Sequence, residues 1–224
     1  MIFRRKAKNE DVETTDLDAT VDATDDGADA GGEGPYDSSE LPPEALEADD
    51  RIDLGALVIT GIPGMELRLQ VDEQSGQVQA ILLVLEDSAL ELRAFAAPKS
   101  SGIWDEVRRE IAAEASRMGG TATETDGPFD TELVLVVPVE DPEGQIFSQT
   151  SRVIGVNGPR WLLRATVLGR AAVEPEAALP LEETLRNVIV VRGAEPMIAR
   201  ESLPLRLPPG AQPADGEAVE DEQA

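Results

Sequence analysis

An α+β domain, in which helices pack on one side of an antiparallel β-sheet, is the fold the sequence predicts, and three observations predict it. Strand-like segments follow one another across short turn signals, too closely for the long crossovers that parallel strands need. One segment of clear helical period interrupts them, and a second follows them. Acidic stretches with few large apolar side chains flank this patterned middle.

The elements follow in order. LVITGIPG (57–64) is an apolar run broken by Gly61, Pro63 and Gly64, which suits a short strand and a turn. MELRLQV (65–71) alternates Met65, Leu67, Leu69 and Val71 with polar residues, the mark of a half-buried strand. VQAILLVL (78–85) is nearly all apolar and reads as a central strand. Glu86-Asp87-Ser88 then turns the chain into an antiparallel partner, ALELRAFAAP. Trp104, Val107, Ile111, Ala115 and Met118 recur at helical spacing. Asp105 and Glu106 in the first turn and Arg117 in the last suit the helix dipole, and Gly119-Gly120 closes the helix.

ELVLVVPVE (132–140) is another central-type strand, and Pro138 places its end at an edge or bulge. FSQTSRVIGV and RWLLRATVLG flank Asn157-Gly158, a hairpin signal. Because Pro159 has no N–H, the loop is expected to exceed two residues. PLEETLRNVIVVRG (180–193) opens with a proline at a first-turn position and places Leu181, Leu185, Val188 and Ile189 on one helical face. Its β-branched end leaves strand open as the alternative for 181–191.

Composition sets the domain limits. The 224-residue chain has a formal charge of −26, of which −12 lies in residues 1–50 and −5 in residues 208–224. Segments so acidic and so poor in large apolar groups do not offset the cost of ordering, about 1–2 kcal/mol per residue. The expectation is therefore a disordered acidic tail over 1–50, a single α+β domain over 51–207, and a second acidic tail over 208–224. No 18-residue apolar run is present to span a bilayer, and the basic start MIFRRKAK leads into acid rather than an apolar stretch, so a cytoplasmic protein is expected. Acidic composition argues against nucleic-acid binding by the whole chain. No feature of the sequence sets an oligomeric state.

The chain has no cysteine and no histidine. This excludes Ser-His-Asp and Cys-His nucleophiles and every thiolate or imidazole metal site. No carboxylate spacing matches a calcium loop, so no metal, cofactor or catalytic residue is assigned.

The strongest lead is a gap in the acid. One residue in five is acidic, yet none lies between Glu143 and Glu174, and this interval holds VNGPRWLLRATVLGR. Strand alternation places Trp161, Leu163, Ala165 and Val167 toward the core. It sends Arg160, Leu162, Arg164 and Arg170 outward, with Arg152 joining them from the preceding strand. Guanidiniums spaced along a ribbon suit capture of carboxylate or phosphate, so these five residues are expected to bind a protein partner, with an acidic protein as the candidate. The alternative is that the arginines pair with acids elsewhere in the fold. Lys99, Ser100 and Ser101 precede the first helix as a candidate anion site, or Ser100 or Ser101 simply caps it. Thr14 and Thr15, in EDVETTDLD, resemble acidic ETT phosphorylation sites of small actinobacterial kinase regulators.

LRAFAAPKSSGIWDEVRREI, VNGPRWLLRATVLGR and VIVVRGAEPMIARESLPLRLP together resemble an actinobacterial family known as domain of unknown function 3710, over roughly residues 50–208. The resemblance implies a cytosolic protein with no established reaction. The strand–helix order is also similar to the Mog1/PsbP-like scaffold, which implies a fold used mainly for binding. The leading expectation is a non-enzymatic interaction or adaptor module with an Arg-bearing hairpin and acidic regulatory tails. A small-anion or nucleotide-binding protein is the second reading, and a hydrolase with carboxylate-held Mg²⁺ the third.

Overall fold

Hairpin follows hairpin along most of the chain, and each apolar run named above becomes a strand. The structure, a computed structural model, describes residues 34–72, 76–100, 102–141 and 143–207. Seven strands form the main sheet: β4 (Glu66–Val71), β5 (Val78–Leu85), β6 (Ser88–Ala96), β7 (Thr121–Gly127), β8 (Asp130–Glu140), β9 (Ile146–Gly158) and β10 (Trp161–Gly169). Their spatial order is β4-β5-β6-β10-β9-β8-β7, with every neighbouring pair antiparallel. Helix α1 (Trp104–Arg117) connects β6 to β7. A smaller sheet has the order β1-β11-β3-β2, from β1 (Tyr36–Asp37), β2 (Arg51–Asp53), β3 (Leu57–Thr60) and β11 (Ile189–Val190), and its β1–β11 pair is parallel. Helix α2 (Pro175–Arg186) precedes β11.

The expected α+β class and antiparallel sheet are present, but the helices do not share one side. Leu163, Ala165 and Val167 of β10 join Ala178, Leu181 and Leu185 of α2 and Leu57 and Ile59 of β3 in one core. Leu162, on the opposite face, joins Trp104 of α1, Leu133 and Val153 in a second. With both faces covered, β10 is apolar at nearly every position. Fully burying a leucine contributes about 1.5–3 kcal/mol, so both layers are strongly held.

Trp104 lies flat on the sheet because position 155 has no side chain. A Cβ on Gly155 would meet the indole Cδ2 at 2.1 Å. The Trp104 indole N–H donates to the Thr131 carbonyl at 2.8 Å, so its one polar atom is satisfied within the core.

Three local expectations are corrected. Helix α2 begins at Pro175, keeps Pro180 in its interior, and gives way to strand β11, so residues 181–191 are helix first and strand last. The β9–β10 loop is only Pro159–Arg160, since Gly158 pairs with Trp161. Proline occupies a turn position whose N–H a two-residue hairpin never uses, and Arg160 takes the left-handed φ of 66° that a type II-like turn needs next. Residues 34–50, expected within the acidic tail, carry β1 and two short 3₁₀ turns. Trp161 fixes this segment, its indole N–H donating to Asp37 Oδ2 at 2.6 Å in the interior. Thr14 and Thr15 lie outside the described residues.

Candidate functional site

The hairpin tip is where the site begins. Because Arg160 is left-handed, its carbonyl turns inward and accepts from the Ala97 amide at 2.8 Å and from Arg192 Nε at 3.2 Å. Arg192 follows β11, is 8% exposed, and donates through Nη1 to the Glu195 carbonyl at 3.2 Å. Arg160 Nη2 reaches the same carbonyl at 3.3 Å. Two guanidiniums thus converge on neutral oxygens, and among the described residues neither pairs with a carboxylate.

They line a pocket of about 380 Å³ together with Asp37, Ser38, Ser39 and Pro159. Asp37 is the acid in this wall, and its oxygens are already engaged by the Trp161 indole and by the backbone and hydroxyl of Ser39. Each guanidinium keeps donors in reserve. Net positive charge, unspent N–H groups and the Ser38 hydroxyl suit a carboxylate or phosphate.

The remaining residues expected on this face are dispersed, for a reason of register. Arg152 stands opposite Val167, so it shares the α2 face, while Arg164 lies on the α1 face. Arg152 is clamped between Glu132 and Glu182. Leu162 is 0% exposed beneath α1 and cannot meet a partner. Arg170 pairs with Glu86 and Asp87, both at 3.2 Å.

Arg164 packs over the Phe95 ring, 5.5 Å from its centroid, and its nearest carboxylate, Glu91, is 3.9 Å away. Its Nε is buried without a hydrogen-bond partner. Burial first, then repulsion from Arg93 directly across the β6–β10 pair, lowers its pKa against the pull of Glu91. With Arg200 it lines a notch of about 160 Å³ under α1, where Arg200 is itself paired to Glu106 and Glu110.

The anion site expected at the mouth of α1 is occupied from within. Asn157 Oδ1 accepts from the amides of Ile103 and Trp104 at 3.0 and 3.2 Å. The cap therefore comes from the hairpin rather than from Ser100. Lys99 and Ser100 are exposed, and Ser101 lies outside the described residues.

Arg192, Ser38 and Ser39 were not expected in the site. A local signal did exist for the serines. Asp37 and Glu40 form a reciprocal capping box around them, a pattern that marks an ordered turn even in acidic sequence. Arg192, at the end of an apolar run, carries no such mark.

Among the described residues, no helix is long and apolar enough to cross a membrane, and no group of three or more His, Cys, Asp or Glu is placed to hold a metal ion. The family model described as "Protein of unknown function (DUF3710)" matches residues 34–214. No curated protein matches the chain. Among solved structures, the solution structure of cyanobacterial PsbP (CyanoP) from Synechocystis sp. PCC 6803 is similar over 60% of this chain and 86% of that chain. Its identity is 14% and its TM-score 0.34, a likeness that carries no argument.

Proposed function

We propose, for a chain that belongs to the DUF3710 family of proteins of unknown function, that it is a binding module whose hairpin tip receives an acidic group from a protein partner. One observation carries this reading. Arg160 and Arg192 face a common pocket without a carboxylate partner among the described residues, in a chain of formal charge −26. So acidic a protein has carboxylates to spare, and two guanidiniums that none of the described carboxylates pairs with are available to an outside anion. Arg160 supports the reading further. A non-glycine residue at positive φ costs about 1–3 kcal/mol, a cost the turn itself would shed with glycine.

The test is affinity capture with matched baits: the wild-type chain, Arg160→Ala/Arg192→Ala, and Arg170→Ala as a control of equal chemistry. A partner retained by wild type and by Arg170→Ala but lost from the double variant supports the reading. A partner held equally by all three overturns it.

A second reading, a small phosphate-bearing ligand, is favoured by the pocket's size, since small-molecule sites run from about 300 to 1,000 Å³. A thermal-shift series with inorganic phosphate and nucleotides tests it. A true ligand at a hundredfold excess over Kd stabilises the fold by about 2.7 kcal/mol. No shift, or an equal shift in the double variant, rejects it.

A further inference from the structure

On the α1 face of the sheet, Arg164 is a guanidinium that the fold surrounds without satisfying. Its side chain is 24% exposed, and its Nε is buried with no hydrogen-bond partner among the described residues. Its contact with Glu91, at 3.9 Å, lies beyond hydrogen-bond range. The nearby acids are committed to other cations. Glu91 Oε1 accepts from Arg93 Nε at 2.9 Å, and the two Glu110 oxygens accept from Arg200 Nη1 at 2.9 and 3.0 Å. A buried donor left without an acceptor costs stability, so a group that supplies one there is bound favourably.

Arg164 opens onto the notch of about 160 Å³ between α1 and the sheet. Phe95 and Leu162, opposite one another in the β6–β10 register, line it from the sheet. Ile103 and Val107 line it from the start of α1, and the Arg200–Glu110 pair completes the lining with its charges mutually offset. Arg164 is thus the charge in this lining that no described group meets at hydrogen-bond distance. An apolar cavity of about 150 Å³ takes up one benzene ring, so the notch has room for a single ring or a short branched chain.

We infer that the notch binds a small organic monocarboxylate, with its carboxylate accepting from Arg164 and its apolar body packed on Phe95, Leu162, Ile103 and Val107. A carboxylate supplies acceptor and counter-charge together, in the planar geometry that a guanidinium matches. Burial and repulsion from Arg93 both disfavour the Arg164 charge, and a bound anion offsets them. Phosphate fits less well, because its remaining oxygens lie against apolar side chains that offer no donor. No residue of this lining belongs to the Arg160/Arg192 pocket, so the site stands whether or not that pocket receives a partner.

The test titrates the full chain with benzoate and with isovalerate while amide signals are followed by NMR. Saturable shifts centred on Phe95, Val107 and Arg164 are expected, and they are expected to be unchanged in Arg160→Ala/Arg192→Ala. Arg164→Met keeps an apolar stem and removes the fork, and is expected to weaken benzoate binding by about tenfold or more, as loss of a charge-assisted hydrogen bond does. Benzamide, of the same shape without the charge, is expected to bind more weakly by a similar factor. Val107→Phe leaves Arg164 in place and fills the notch, so the shifts are expected to vanish. That variant and the benzamide comparison decide the matter should Arg164→Met fail to fold. The inference is overturned by no saturable shift with either acid, by equal affinity in Arg164→Met, or by shifts centred on Gly193 and Ala194. Benzamide or inorganic phosphate binding as tightly as benzoate overturns the assignment to a carboxylate.

Discussion

Arg152 meets Glu132 through two donors, Nε at 3.1 Å and Nη2 at 2.9 Å, and the same Nη2 reaches Glu182 at 2.9 Å. Glu132 is fully buried and Glu182 nearly so, which makes one guanidinium the counter-charge for two interior carboxylates. Removing the shared cation is expected to cost more than neutralising either acid. Arg152→Met strands two buried negative charges and is expected to destabilise by about 3–5 kcal/mol. Glu132→Gln leaves Arg152 with Glu182 and is expected to cost clearly less. Urea unfolding of the two variants checks the order, and a smaller loss for Arg152→Met would show that the triad is not coupled.

The same group gives a pH dependence. Burial raises the Glu132 pKa above the carboxylate reference of 4.5, and repulsion from Glu182 adds to it, against the opposing pull of Arg152. A folded state that binds the proton more tightly than the unfolded chain loses stability as pH rises between the two pKa values. The wild-type-minus-Glu132→Gln difference in unfolding free energy is therefore expected to fall as pH rises from 4.5, then level off. Denaturation at successive pH values measures that difference, and a rise instead would reverse the assignment.

Gly155→Ala drives a methyl group into the face of the Trp104 ring. Overfilling a packed core typically costs about 1–3 kcal/mol. The expected result is a lower midpoint with blue-to-red movement of the tryptophan emission as the indole is displaced. An unchanged midpoint would mean the ring has room to move.

Asn157→Ala removes the cap that the hairpin lends to α1. Loss of an N-terminal cap costs about 0.5–2 kcal/mol, so a modest drop in thermal midpoint is expected. Amide exchange should quicken at Ile103 and Trp104 first, and uniform quickening would argue against a local cap.

Arg160→Gly separates turn from site. Glycine relieves the positive φ but gains freedom in the unfolded chain, and these effects oppose one another at about 1 kcal/mol each. Near-wild-type stability with loss of acidic-ligand binding is the expected outcome. Retained binding would remove Arg160 from the site.

The main sheet was legible because its strands announce themselves. VQAILLVL and RWLLRATVLG cannot be solvent-exposed, and the Trp104–Met118 period admits one conformation. β7 was not legible, since TATETDG has almost no apolar content and is a strand only because β8 pairs with it. The site was legible in part. Arg160 and the acid-free interval point to the hairpin, but strand alternation by itself distinguishes core from solvent only where one sheet face meets solvent. With α1 covering that face, Leu162 is core, and the register carries Arg152 to the opposite side. Long-range partners, such as Trp161 with Asp37, 124 positions apart, leave no local trace.

β1 pairs with β11, joining residues 36–37 to residues 189–190. On the ribosome the first of these leaves the tunnel long before the second exists, while β4 through β10 can already zip together from neighbouring hairpins. The pocket draws its wall from Ser38 and Ser39, its turn from Arg160 and its second guanidinium from Arg192. The pocket is thus incomplete in any nascent chain that has not yet reached Arg192.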